Sequence, residues 1–313
     1  MNPSHPEISV ITSLYNSSSH LVEFYERVVT EVKKSYDSYE LILVNDGSTD
    51  DSLEVALSIF KKDEYVKIID LTRNFGQHQA IMAGIKESAG DNILLIACDL
   101  EEKPEWISSF KEEMVESEAD VIYGRHIKKS ESFLKKWSSA FFYKVFNYFS
   151  TVKLTPNIIL FRLMNRVYVE SLLKFNETVL FLPGIMAMAG HTQKPLAVEK
   201  SYKGSTQYNL KRLVHMAIDA ITSFSTRPLT SLMIKGLLIF VISLVFILGL
   251  TICYFSELEL PYLMLLILIS IWSVCGVLMI GLSMVGLYAS RALIEAKRRP
   301  QVIVKNIYST PLD

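Results

Sequence analysis

The sequence predicts an α/β protein: a doubly wound, mostly parallel sheet followed by two membrane-spanning helices. Three observations predict it. Up to about residue 200, short β-branched apolar runs alternate with amphipathic stretches of helical length, the pattern of buried parallel strands joined by crossover helices. Beyond that, two runs carry no charge, 20 residues from Gly236 to Phe255 and 29 from Tyr262 to Ser290, and a helix needs roughly 20 residues to span a bilayer. Finally, the 313-residue chain is 50% hydrophobic yet 21% charged, with mean hydropathy +0.27. An ordinarily charged globular part joined to a very apolar one accounts for that mixture.

The strands are expected at Ile8–Leu14, Glu40–Asn45, Tyr65–Leu71, Asn92–Ala97 and Ala119–Gly124, each ending in a polar turn. Between them, Leu21–Lys34, Asp51–Lys62, Gln77–Ala89 and Glu105–Glu118 carry helical periodicity. Gly90 closes the third, and Pro104 opens the fourth from the position where its missing N–H costs nothing. Phe133–Phe149, with eight aromatics in seventeen residues and Lys135, Lys136 and Lys144 among them, reads either as an interfacial amphipathic helix or as a core helix.

The two uncharged runs are too long for buried soluble helices, which keep a polar stripe. Basic residues flank them on the outside: Lys211, Arg212, Arg227 and Lys235 before, Arg291, Lys297, Arg298, Arg299 and Lys305 after. The connecting Ser256–Pro261 loop has none. The positive-inside rule therefore expects a multi-pass protein of the inner (plasma) membrane, with both termini and the globular part cytoplasmic. The expected organisation is a catalytic domain over 1–208, a juxtamembrane amphipathic linker over 209–232, a two-helix membrane region over 233–290 and a basic tail over 291–313. No signal-peptide pattern opens the chain. Three cysteines, two of them in apolar runs, read as reduced thiols. Thirty-two basic against 33 acidic residues leave a net charge of −1, with no field to draw nucleic acid.

In open parallel sheets, ligands sit outside the carboxyl ends of the strands. The tails there read Tyr15-Asn16, then Asp46-Gly47-Ser48-Thr49-Asp50, then Arg73-Asn74-Phe75-Gly76-Gln77, then Asp99-Leu100-Glu101-Glu102. No GxGxxG and no GxxxxGK[ST] is present, so neither a dinucleotide turn nor a P-loop is available. Carboxylates dominate instead, as suits a hydroxyl-rich nucleoside and a hard cation. Each tail has a plainer reading beside this one. Asp46-Gly47-Ser48 is a good turn, Thr49 or Asp50 a good helix cap, Arg73–Gln77 a strand end leading into a helix, and Asp99–Glu105 a solvated acidic loop. His78, His126, His191 and His215 show no metal-ligand spacing.

The ordered series of these tails, with Lys103-Pro104-Glu105 after the fourth, resembles the family-2 glycosyltransferases of GT-A fold. Phe161-Arg162-Leu163-Met164-Asn165-Arg166, Gly204-Ser205-Thr206-Gln207-Tyr208 and Ser223-Phe224-Ser225-Thr226-Arg227-Pro228-Leu229 narrow it. They are similar to the polyprenyl-phosphate glycosyltransferases, relatives of dolichol-phosphate mannose synthase with two C-terminal membrane helices. The similarity runs from about residue 8 to 290. It implies an inverting transfer of a sugar from a nucleotide diphosphate sugar, UDP-linked, to polyprenyl (undecaprenyl) phosphate, for lipopolysaccharide or cell-wall glycan synthesis. By the same resemblance, Tyr15, Asn16, Asp46, Gly47, Ser48, Arg73, Gly76, Gln77, Ala97 and Cys98 surround the nucleotide. Asp99 and Glu101, two apart in an extended segment and so facing one way, hold Mg2+ or Mn2+ and form the catalytic pair. Ser205, Gln207 and Tyr208 form a donor loop, and Arg125, Arg162 and Arg166 take the acceptor phosphate. Relatives associate through their membrane helices, which makes a homo-oligomer an expectation.

The chain departs from the family pattern at Ala97, where an Asp is usual, at Ser17 and Leu160, where acids are usual, and at Gln207, where Lys is usual. Ala97 opens a second reading, a nucleotide-sugar-binding pseudoenzyme or an impaired or engineered variant. Leu160 is compatible with transfer, because a phosphate monoester is already anionic at neutral pH and needs no general base. What such an acceptor needs is positive charge, and residues 125–174 carry ten Lys/Arg against Glu131 and Glu170. A basic patch of that kind beside a bilayer also draws anionic headgroups.

Overall fold

The computed structural model describes residues 5–126, 157–175, 182–199 and 261–310, with single positions at 234 and 238. Two units divide the chain. One takes Met1–Tyr143, Lys153–Tyr208 and Arg299–Asp313, the other Lys144–Val152 and Asn209–Arg298.

The first unit is built on an eight-stranded sheet. Its strands are β1 (Ile8–Leu14), β2 (Tyr39–Asn45), β3 (Val66–Leu71), β4 (Asn92–Leu95), β5 (Val121–His126), β6 (Ile158–Asn165), β7 (Gln193–Val198) and β8 (Val304–Tyr308), in the order β7-β5-β6-β4-β1-β2-β3-β8. The four parallel pairs are β1–β2, β1–β4, β2–β3 and β5–β7. β6 inserts antiparallel between β4 and β5, and β8 adds antiparallel to β3. The mostly parallel α/β expectation therefore holds. β6, β7 and β8 are additions the strand pattern did not assign, and β8 lies inside the segment expected as a basic tail.

Crossover helices cover both faces. On one, α1 (Ser18–Ser35), α2 (Ser52–Phe60) and α4 (Ile107–Ser117, entered through a 3-10 turn at Pro104–Trp106) lie over the sheet. Phe24, Val28, Phe110 and Phe161 pack there against Leu41 and Leu43. Phe110 meets Phe161 edge-on at 4.5 Å, the arrangement the ring quadrupoles favour. α3 (Gln77–Lys86) covers the other face, so close that a Cβ on Gly84 would stand 2.5 Å from Ile11 Cγ2. α5 (Arg166–Leu172) and α6 (Leu182–Met188) follow β6, and the Asn165 side chain caps α5 by accepting the Tyr168 N–H.

Within the second unit, α7 (Pro261–Ala296) runs 36 residues. It contains the whole second uncharged run, although only part of its side chains belongs to the described residues. Among the described residues no helix is long and apolar enough to cross a membrane. The first uncharged run, but for one position, and the segments 133–149 and 209–232 lie outside the described residues.

Candidate active site

Strand order reverses between β1 and β4: β2 and β3 build outward on one side of β1, while β4 and its neighbours build on the other. The crevice at such a switch point, outside the carboxyl ends of the strands, is where α/β sheets take ligands. The tails of β1 to β4 all open there.

These tails are tied to one another by side chains. Asp46 is 2% exposed, and its two carboxylate oxygens accept the Phe75 N–H at 2.7 Å and the Gly76 N–H at 3.0 Å. Ser48 Oγ accepts the Asn16 N–H, and Asn16 Oδ1 accepts both the N–H and the hydroxyl of Thr49. Gly47 is required by contact and by backbone alike. Its φ is +62°, and a Cβ there would stand 2.4 Å from the Arg73 carbonyl carbon, a left-handed conformation and a close approach that glycine alone permits without strain. Gly76, at φ +101°, turns the loop into α3. Asp50 accepts the Ser18 N–H at the start of α1, and the N–H and hydroxyl of Ser52 at the start of α2. Burial pushes its carboxyl up, but those hydrogen bonds prevail and hold it at about 2. Asp50 thus has the capping role expected of it, while Thr49 serves Asn16.

The fourth tail differs from the expectation. β4 ends at Leu95, so Asp99 and Glu101 do not sit on an extended segment. They flank a tight turn whose central residue, Leu100, is left-handed at φ +60°, a strained position for a branched side chain. The turn is held by Asp99 Oδ1, which accepts the Glu101 N–H at 3.0 Å, and by the Leu100 side chain, 5% exposed in the core. Asp99 itself is exposed and Glu101 half-buried. The neighbouring carboxylate does the clamping: Glu102, 2% exposed, accepts the N–H groups of Ala97, Leu160 and Phe161. It fastens the tail of β4 to the start of β6. Cys98, buried, donates to Ser13 O and Ser17 Oγ and ties the same tail to β1; burial pushes its thiol up. Glu105 pairs with Arg27 through both oxygens at 2.8 and 3.0 Å.

The three arginines expected at the acceptor phosphate are not brought together. Arg125, exposed, stands at the carboxyl end of β5, on the crevice side of the sheet. Arg162 is 5% exposed opposite Leu95, over the Tyr123 ring at 5.4 Å, with Nη1 unpartnered among the described residues. Burial lowers its pKa, and the Tyr168 hydroxyl opposes that shift. Arg166 belongs to the other end. Asn165 pairs with Asn92 at the start of β4, and the Arg166 guanidinium donates to Gly90 O, so antiparallel β6 carries it a strand's length from the crevice. Tyr15, half-exposed, and the exposed Arg73 and Gln77 do line the crevice end; the Arg73 guanidinium lies over the Phe75 ring at 4.1 Å. Ser205, Gln207 and Tyr208 lie outside the described residues.

Among the described residues no three His, Cys, Asp or Glu side chains gather as a metal cluster. The turn at Leu100 carries two carboxylates, the exposed Asp99 and the half-buried Glu101, the ligand type Mg2+ takes when substrate phosphates and water complete its shell. A cavity of about 500 Å³ lined by Tyr25, Tyr39, Asp63 and Tyr65 sits at the amino ends of β2 and β3 and takes no part in the crevice.

Sequence reasoning missed Glu102 as a clamp and the Asn45–Asp70 pair behind Asp46, where Asn45 Nδ2 donates to Asp70 Oδ1 at 2.7 Å. Asn45 and Asp70 carried a signal, polar residues closing apolar strands, which singles out a position without naming its partner; Glu102, in an acidic run beyond β4, carried none.

Comparison with known proteins bears on this geometry. The family model described as glycosyl transferase family 2 matches residues 9–174. A Mycobacterium tuberculosis protein grouped with the glycosyltransferases is 34% identical over 97% of this chain and 89% of its own length. A prophage bactoprenol glucosyl transferase homolog of Escherichia coli is 32% identical over 96% of this chain and 99% of its own. A bactoprenol glucosyl transferase of Shigella phage SfV is 31% identical over 96% and 98%.

Proposed function

The chain belongs to glycosyl transferase family 2, with the mostly parallel α/β sheet of the GT-A type, and from that premise we propose that it glycosylates a membrane lipid phosphate. It moves a sugar from a nucleotide diphosphate sugar, UDP-linked, to polyprenyl phosphate at the cytoplasmic face of the plasma membrane. The observation that carries this reading is the end-to-end match to the Escherichia coli relative, 96% of this chain and 99% of that one, which includes the apolar C-terminal third as well as the crevice.

In this reading Asp46 and Gly47 shape the nucleoside end of the crevice, and Asp99 and Glu101 would hold Mg2+ or Mn2+, which would supply neutralisation of the charge on the departing nucleoside diphosphate. The acceptor phosphate oxygen attacks the anomeric carbon from the face opposite the diphosphate. One C–O bond forms, one breaks, and the configuration inverts. No proton need be removed, since the monoester is already ionised near neutral pH, which fits the apolar Leu160 beside Glu102. Of the three arginines expected at the acceptor phosphate, Arg125, exposed at the carboxyl end of β5, is the one placed to draw it.

The membrane part of the proposal rests on the two uncharged runs and their basic flanks. Lipid-facing helices at least 20 residues long fit a bilayer core of about 30 Å, and association between copies through these helices follows the same reading. β8 follows α7 in the chain and pairs with β3; in this reading an even number of crossings would put the chain before and after the apolar region on one side of the membrane.

A second reading is favoured by one observation, the alanine at 97: a protein that binds nucleotide sugar without transferring it. One experiment separates the two. Membranes containing the full-length protein are given a panel of radiolabelled nucleotide sugars, polyprenyl phosphate and Mg2+, and label entering organic solvent is counted. Lipid-linked label that EDTA abolishes is the expected result. Calorimetric binding of a nucleotide sugar with no lipid-linked label, unrestored by Ala97→Asp, establishes the second reading instead.

A further inference from the structure

The C-terminal strand reaches the crevice through a defect in its own pairing. β8 runs antiparallel to β3 with Asp70 opposite Asn306 and Leu71 opposite Val304. Lys305 is therefore the extra residue of a β-bulge. Bulges re-aim the side chain they carry and recur beside functional sites. Here the bulge turns Lys305 Nζ to 3.8 Å from Asp70 Oδ2, the one cation within 4 Å of that carboxylate among the described residues.

Asp70 is 3% exposed. Its other oxygen accepts from Asn45 Nδ2 at 2.7 Å, and Asn45 Oδ1 in turn accepts the Ser48 N–H at 3.2 Å. Asn45 immediately precedes Asp46, the residue that grips the Phe75 and Gly76 amides. On the backbone side, Ile303 O accepts the Thr72 N–H at 3.0 Å, where β3 gives way to the Arg73–Gln77 loop. Two further contacts seat the tail: Lys86 Nζ donates to Gln301 Oε1, and the Tyr308 ring meets Phe60 at 6.5 Å. The tail thus touches the start of the Arg73–Gln77 loop directly and reaches the Asp46–Ser48 turn through Asp70 and Asn45. Without Lys305, whose side chain is itself largely exposed, the buried Asp70 carboxylate keeps one neutral partner among the described residues, a costly arrangement.

We propose that Lys305 is a positioning residue for the donor crevice, acting from the bulge in the C-terminal strand through Asp70 and Asn45 on the Asp46–Ser48 turn. The nucleotide part of this inference rests on the donor reading above; the ordering of the loops does not.

The test uses the full-length protein in phospholipid vesicles, with Lys305→Met, Lys305→Arg, Asp70→Asn and the Lys305→Met/Asp70→Asn double variant. Amide hydrogen exchange is read for segments 45–48 and 72–77, and uridine diphosphate and guanosine diphosphate are titrated by calorimetry. Lys305→Met is expected to speed exchange in both segments and to weaken diphosphate binding about fivefold, the low end of coupling between linked sites. Lys305→Arg should behave as the parent, and the double variant should add nothing to Asp70→Asn, since both act on one path. Unchanged exchange in both segments for Lys305→Met overturns the proposal, as does a rise spread equally over β1 and β4. If neither diphosphate binds the parent protein, the donor reading fails and the exchange measurement alone decides the role of Lys305.

Discussion

Glu102 sits in an acidic run of Asp99, Glu101, Glu102 and Glu105, yet its work is unlike that of its neighbours. Asp99 faces solvent at the crevice, Glu105 pairs with Arg27, and Glu102 is withdrawn to 2% exposure, where three backbone N–H groups converge on it. Sequence spacing makes these four look equivalent; burial separates them. Removing the charge while keeping the shape should be costly, because a glutamine amide would point N–H at N–H. Glu102→Gln is expected to destabilise the domain by about 2–3 kcal/mol, the scale of a buried hydrogen bond lost at a charged group. Chemical denaturation read by intrinsic fluorescence checks this, and Glu102→Asp, one methylene shorter, should fall between the two. Asp46 teaches the same lesson. It stands where the nucleoside contact was expected, and it also holds the neighbouring loop through both oxygens, so Asp46→Ala would confound contact with loop order in any affinity measurement.

Elements meet at their ends, and the crevice is an assembly of such ends. α1 and α2 begin side by side on one carboxylate, Asp50, which satisfies a free N–H at the first turn of each; the positive end of each helix dipole favours the charge. A pH dependence follows. The Asp50 carboxyl lies at about 2 instead of the usual 3.8. Its stabilising effect is therefore complete above about pH 4 and fades as pH falls toward 2. Asp50→Asn should be less stable at neutral pH by about 1–2 kcal/mol, the size of a lost helix cap. Its stability relative to the parent should recover through that acid window. Acid unfolding of both proteins followed by circular dichroism reads it, and a gap between them that stays constant from pH 5 to 2 counts against the capping role. β8 pairs with β3 and becomes the edge of the sheet itself.

At the scale of the whole molecule, a sheet that recruits its last strand from beyond an apolar region constrains how the chain is threaded. If the two uncharged runs cross a membrane as proposed, then with β3 and β8 in one sheet the Ser256–Pro261 loop is expected on the opposite side from residues 5–126 and 299–310. A single cysteine introduced by Glu257→Cys, in a background with Cys98, Cys253 and Cys275 changed to serine, should react with an impermeant maleimide in intact cells. Ser309→Cys in the same background should react only after lysis; the reverse labelling would refute the arrangement. How much of all this was legible beforehand varied with the physics. The alternation of apolar strands and amphipathic helices is local in sequence, so the four parallel strands and their helices could be read directly. The long-range pairings could not. Whether Arg166 or Arg125 reached the crevice depended on β6 running antiparallel, whether Asp99 and Glu101 lay on a strand or a turn depended on where the ladder of β4 stopped, and whether Lys305 was a tail charge or a partner of Asp70 depended on one extra residue in a ladder. The amino-acid sequence by itself determined which segments are buried and which ends are polar, since hydrophobicity acts residue by residue. Only the tertiary structure decided which polar groups meet, because an ion pair between residues 235 positions apart, such as Asp70 and Lys305, has no local trace until the chain has closed.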